Sequence, residues 1–241
     1  MKKSIIPLFV LLSLLFSVLY SCKSESGKTN STQKENVPPE STPKESTSSK
    51  ENNSASKEVK LIPEEQKKLN VFFSNFSEVN LKPFTIASIT DEDLINFGVL
   101  HNYKNNFKLF EKVDNSNVKI KEDNISASIQ KYFDRKINSH KSTSDYKYKN
   151  GYYFVPLADG EAFTFSQVEK MNDIGNDKYI AYINVYTASS GWTGNVHAAP
   201  KEWTSDENDK PELSEKFKAT IKKSSGTKGE DVYTLIDYIK Q

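Results

Sequence analysis

Cysteine is almost missing from this 241-residue chain, which holds one, Cys22. That excludes an intrachain disulfide framework and a Cys-rich zinc site. Arginine is as scarce: Arg135 stands alone among 33 basic residues, a bias that suggests an AT-rich genome. An excess of either charge is lacking too. The 33 Lys+Arg face 32 Asp+Glu, a formal net charge of +1 that argues against a strongly cationic nucleic-acid binder. Three histidines leave few routes to a His-based metal centre. Hydrophobic residues make up 36%, below the usual globular share, so part of the chain is expected to stay outside any core. The sequence contains no P-loop, GxSxG, HExxH, CxxC or EF-hand loop. No catalytic residue, metal or cofactor is therefore assigned. An enzyme is not excluded, but a non-catalytic role is the expectation.

Long apolar runs are lacking as well, with one exception at the start. Lys2 and Lys3 precede IIPLFVLLSLLFSVLYS, residues Ile5 to Ser21, and Cys22 follows at once. A basic region, an apolar stretch and a small residue before the cut is the pattern of a secretory signal. The stretch is shorter than the roughly 20 residues of a comfortable spanning helix, and Pro7 interrupts it. Leu19-Tyr20-Ser21-Cys22 resembles the lipobox of bacterial lipoproteins, with Leu at −3, Ser at −1 and the cysteine at +1. The resemblance implies a diacylglyceryl group on the Cys22 sulfur and cleavage before it. Residues 1–21 are then a signal peptide, and the mature protein is anchored by lipid on the extracytoplasmic face of the cell membrane. Two acyl chains anchor stably where one does so only marginally, because each buried CH₂ contributes about 0.8 kcal/mol.

Residues 22–60 read as the lipidated cysteine and a tether. Ser, Thr, Lys, Glu, Asn and Pro dominate, and no aromatic occurs. Such a segment cannot bury enough apolar surface to offset the entropy of ordering it. Its seven Lys and six Glu nearly cancel. As a solvated coil of about 38 residues it reaches on the order of 35 Å. From Leu61 to Gln241 aromatics appear in number and periodicity sets in, so residues 61–241 are expected to form one domain.

The first half of that domain reads as helical. Pro63 suits a helix start, and Leu69, Phe72, Phe73 and Phe76 recur at helical spacing, predicting a helix from Pro63 to about Ser77. Thr90-Asp91-Glu92-Asp93 resembles a capping box, with acidic residues where the helix dipole favours them. NFKLFEKV and VKIKE predict a hairpin across residues 114–117, and Asp123 or Asn124 can cap a third helix. The second half reads as antiparallel sheet. Asn150-Gly151 is a two-residue hairpin signal, and alternation continues over Ala162–Met171, Tyr179–Tyr186, Phe217–Lys223 and Val232–Ile239. A long loop from Thr187 to about Leu213 holds both tryptophans, and loops of that length in compact domains are usually functional or disordered.

The expected class is α+β, with N-terminal helices packed on a curved antiparallel sheet. The order of elements resembles the NTF2-like (cystatin-like) arrangement. The stretch YKYKNGYYFVPLADGEAF, from Tyr146 to Phe163, is similar to segments of extracytoplasmic lipoproteins of AT-rich bacteria, a resemblance that implies location rather than activity.

Three groups of residues invite chemistry. Asp159 and Glu161 flank Gly160 and can serve as an acid–base pair or hold a hard cation, or can simply form a polar turn. His101, His140 and His197 can act as metal ligands only if three separate elements converge, and His101 also suits a helix core position. The loop SSGWTGNVH, with Trp192, Asn195 and His197, and Trp203 beyond it, offers a binding surface. Alternatively it folds Trp192 back on the sheet as a lid. Tyr146, Tyr148, Tyr152 and Tyr153 can present an aromatic face or be ordinary sheet residues. Together these readings point to a membrane-anchored binding or interaction domain, expected to be a monomer, with a cell-wall or protein partner and no nucleic acid. The alternatives are an inhibitor or regulator of a cell-wall enzyme, and a hydrolase using Asp159, Glu161 and a histidine.

Overall fold

Proline at the first turn and acidic residues behind it start α1, Pro63–Ser77, as the sequence predicts. The apolar spacing then turns Leu69, Phe72, Phe73 and Phe76 to one buried side. In α2, Asp91–Asn105, the expected capping box is present. The Thr90 hydroxyl accepts from Asp93 N–H (3.2 Å), and Asp93 accepts from Thr90 N–H (3.0 Å). The third helix, α3 (Glu122–Phe133), departs from expectation at its start. It begins directly after a strand at Lys121, with no side-chain cap, and Asp123 and Asn124 lie inside its first turn.

The computed structural model describes residues 56–158, 163–203 and 210–241. All of them belong to one compact unit, Glu51–Gln241. The other unit, Met1–Lys50, lies outside the described residues, and with it the signal sequence, Cys22 and most of the tether. Among the described residues no helix is long and apolar enough to cross a membrane.

The class is α+β, but the strands divide between two antiparallel sheets. The larger takes β1 (Lys57–Glu58), β6 (Phe163–Gly175), β7 (Lys178–Ala188), β8 (Glu212–Ser225) and β9 (Asp231–Lys240), in that spatial order. The smaller is ordered β2-β3-β5-β4, from Glu111–Lys112, Asn117–Lys121, Tyr152–Pro156 and Lys147–Lys149 respectively. The Asn150-Gly151 hairpin forms as predicted, both residues at positive φ (52° and 80°). It joins β3 rather than extending the meander, because Tyr153 and Val155 turn inward opposite Ile120 and Val118. The NTF2-like arrangement expected from the element order is not confirmed. A second turn with positive φ, Asn176-Asp177, joins β6 to β7.

Two devices cover the outer edge of β6. At one end β1 pairs with it, Lys57 opposite Asp173 and Glu58 opposite Asn172, and Val59 N–H donates to Met171 C=O (2.8 Å). The folded chain thus starts ahead of Leu61. Pairing of this kind uses backbone groups, so a polar composition does not reveal it. At the other end α1 substitutes for a strand. Asn70 Oδ1 accepts from Val168 N–H (2.8 Å), Ser74 Oγ from Ser166 N–H (2.9 Å), and Gln66 donates to Val168 C=O. An edge left bare would be a template for aggregation.

The main core lies between the helices and the inner face of the large sheet. Phe76 is at its centre, with ring contacts to Phe72, Phe97, Tyr132, Phe133 and Tyr238. Gly98 allows α2 to approach α3 closely: a Cβ there would meet Ile125 Cγ2 at 2.6 Å. At the same crossing Asn102 Nδ2 donates to Gly98 C=O and to Ser128 Oγ, both at 2.8 Å, which satisfies a buried amide.

Candidate functional site

Alternation along a strand places successive side chains on opposite faces. In β6 and β7 this turns Phe165, Tyr186 and Ala188 away from the main core onto the outer face, where they would be bare. The long loop covers them. Its chain folds back through Trp192 N–H to Ser189 C=O (3.1 Å), with Gly191 at φ 100°. Gln167 on β6 holds the loop down, its Nε2 donating to Val196 C=O (2.6 Å) and Ala198 C=O (2.8 Å). A short 3₁₀ turn, Pro200–Glu202, then carries Trp203 under the loop.

The result is a second, smaller cluster. Trp203 stands edge-on to Phe165 (5.4 Å, 81°) and to Tyr186 (4.8 Å, 83°). Trp192 lies parallel to Phe165 (5.6 Å, 5°) and near-parallel to Phe163 (6.3 Å, 29°). Gly194 presses on the same indole, since a Cβ there would come within 2.1 Å of Trp192 Cζ2. Of the two tryptophans offered as contacts, Trp203 is 7% exposed and packs as the floor of the cluster. Its Nε1 is buried without a hydrogen-bond partner. Trp192 is half-buried, and the large aromatic left open at the rim is Phe163, 45% exposed. Nothing in the sequence singles out Phe163, because alternation alone does not say which face a later loop will cover.

Asn195 shapes the loop: its Oδ1 accepts from His197 N–H (2.9 Å) and its carbonyl from Ala198 N–H (3.0 Å). His197, half-buried, borders a cleft of about 150 Å³ where the loop meets the end of α1. Phe163, Asn75, Glu78 and Asn105 line the same cleft. Burial, with a smaller contribution from Lys67, lowers the His197 pKa, and burial raises that of Glu78. Behind the cleft Asn105 donates to Glu78, and His101 Nδ1 lies 3.9 Å from the Glu78 carboxylate. That distance suits an ion pair, but burial drives both groups toward their neutral forms. The His101 pKa falls to about 4. Stacked on Phe97 (5.5 Å) and 3% exposed, His101 is a core residue without access to a substrate.

His140 is elsewhere, bridging Ser126 Oγ and Tyr153 Oη at 2.9 Å each. The three histidines therefore do not converge, and among the described residues no group of three His, Cys, Asp or Glu could hold a metal ion. Asp159 and Glu161 lie outside the described residues. The four tyrosines divide between environments. Tyr146 and Tyr153 are buried and Tyr148 and Tyr152 half-buried, which removes the continuous aromatic face.

No family model, curated protein or solved structure matches this chain. The reading of function rests on the residues themselves.

Proposed function

We propose that this is a lipid-anchored extracytoplasmic binding protein that recognises its partner at the rim of the outer-face loop. The anchor is Cys22, supported by the basic–apolar–Ser–Cys order and by the lack of any other cysteine. The observation that carries the recognition surface is Phe163. A large aromatic is left 45% exposed against Trp192 and Phe165, which stack on each other, beside a small cleft whose polar groups include His197, Asn75, Glu78 and Asn105. An apolar anchor next to convergent polar groups is the usual make-up of a binding site. The class of partner is a cell-wall polymer or a wall-associated protein. The regulator reading, with the loop as a wedge, has less support because the loop lies against the sheet through Gln167 instead of projecting. For the hydrolase reading no step is derived, since its carboxylates fall outside the described residues.

Retention of the full chain on purified cell-wall material tests the surface. Phe163→Ala removes an exposed ring, so stability should change by no more than about 0.5 kcal/mol. Retention should fall at least tenfold, as hot-spot truncations cost about 2 kcal/mol or more. Trp192→Ala should weaken retention as well, at some cost in stability. Undiminished retention in both variants would overturn the assignment of this rim. For the anchor, Cys22→Ala should either release the protein to the aqueous phase or stall it as the precursor that keeps the apolar run Ile5–Ser21, and a variant that is processed normally and still partitions into detergent rules lipidation out.

A further inference from the structure

The chain's one arginine occupies an unusual position. Arg135 follows α3, just past Asp134, which ends the helix in the left-handed conformation (φ 51°). Its side chain is half-buried, and Nη1 is fully enclosed without a hydrogen-bond partner. Among the described residues Arg135 forms no ion pair. A guanidinium carries five donors, and withdrawing it from water without an acceptor is costly.

Arg135 lines a cavity of about 350 Å³, and Lys178 and Lys222 line it as well. They are direct cross-strand partners in β7 and β8, so their side chains share one face of the sheet. Like charges placed directly opposite destabilise a sheet. Neither lysine has an ion-pair partner among the described residues to relieve this. The single carboxylate in the lining, Asp134, is engaged by Gln130 Nε2 at 2.7 Å. Thr234, opposite Lys222 on β9, adds a hydroxyl, and Phe133 and Ile89 supply an apolar wall that limits water.

We propose that this cavity at the β9 edge is a binding site for a dianionic phosphate group. The planar fork of Arg135 suits two phosphate oxygens at once. A monoanionic carboxylate would satisfy the arginine and leave the lysine pair repelling itself. A second negative charge engages that pair as well. The chemistry is that of a phosphomonoester, whether free in solution or as a lipid headgroup.

The test uses the full chain carrying Cys22→Ala, so that no acyl chain drives partition into lipid. The probes are inorganic phosphate, compared with chloride at equal ionic strength, and phosphatidylcholine vesicles with and without phosphatidic acid. Phosphate should raise the thermal midpoint above chloride. Arg135→Gln should weaken binding at least tenfold, and Lys222→Gln, an exposed position, several-fold. In chloride Arg135→Gln should leave the midpoint unchanged or higher, because it removes an unpaired charge. Binding to phosphatidic acid vesicles that is lost in both variants assigns the headgroup as the source. Saturation by phosphate without vesicle binding assigns a soluble ligand. The proposal is overturned if neither probe acts beyond chloride, if binding survives undiminished in Lys222→Gln and Arg135→Gln, or if Arg135→Gln lowers the midpoint in chloride.

Discussion

The two faces of the large sheet are covered by different means. On the inner face three helices supply a core centred on Phe76, and several of its buried polar groups are paired: Asn70 with Val168 N–H, Asn102 with Ser128, Ser166 with Ser77. On the outer face a loop covers four buried residues, Phe165, Tyr186, Ala188 and Trp203, and Gln167 holds it down. Two buried ring nitrogens there, Trp203 Nε1 and His197 Nδ1, lack partners, as Tyr238 Oη does in the inner core. A region held by few contacts opens locally at low cost, and recognition surfaces are drawn from such regions. The inner core therefore carries stability, and the outer cluster trades stability for a surface.

The strongest way to break this comparison is a matched pair of aromatic truncations. Phe76→Ala should lower global stability by about 3–5 kcal/mol, the usual cost of a large core truncation. Trp203→Ala should shift the global midpoint by less than half as much, with the loss appearing as faster proteolysis of the loop. Equal global losses, measured by denaturant unfolding, would make the loop an integral part of the core.

A smaller effect separates the two regions by pH. His101 is buried and neutral, with its pKa lowered from 6.5 to about 4. Between those values the unfolded chain binds the proton more readily, so this contribution to stability is lost as pH falls from about 6.5 toward 4. Glu78, raised by burial, acts in the opposite direction, its contribution fading as pH rises above 4.5. The stability difference between the natural chain and His101→Leu isolates the histidine. It should shrink by on the order of 3 kcal/mol as pH falls from 7 to 4. A gap that stays constant would mean that His101 takes up its proton in the fold as readily as in the unfolded chain.

The finest comparison is one substitution made twice. Gly98→Ala drives a methyl into Ile125, with its carbonyl oxygen 3.3 Å behind, where two helices cannot part, and should cost about 1–3 kcal/mol. Gly194→Ala meets the indole of Trp192, a half-buried side chain that can swing aside. Stability should change by no more than about 0.5 kcal/mol while Trp192 fluorescence shifts. A large loss at Gly194 would show the loop to be as rigidly packed as the helices.

Features built from neighbouring residues are legible in the sequence. The Thr90–Asp93 box, the Phe72–Phe76 stripe and the Asn150-Gly151 turn each depend on contacts within four positions, and each stands where the spacing puts it. The start of α3 is less legible, because β3 runs into it directly and no capping side chain marks the boundary. The candidate site is legible in part. Trp192, Asn195 and His197 do gather on one loop, but Phe163 and the cleft residues Glu78 and Asn105 come from distant elements. Arg135 gives no signal beyond being alone.

What the sequence by itself determined is the local order: helix, helix, hairpin, helix, then strands, after a polar segment with a lipobox-like start. Local order follows from propensity, capping and turn chemistry, which act over a few residues. The tertiary structure alone decided that the strands divide into two sheets, that α1 stands in for a strand along β6, and that Trp203 goes under the loop. It also placed Arg135 beside Lys178 and Lys222. These outcomes depend on which distant backbone groups and side chains find partners. Asn70 meets Val168 across 98 positions and Ser74 meets Ser166 across 92, and no periodicity in the chain encodes pairings at such separations.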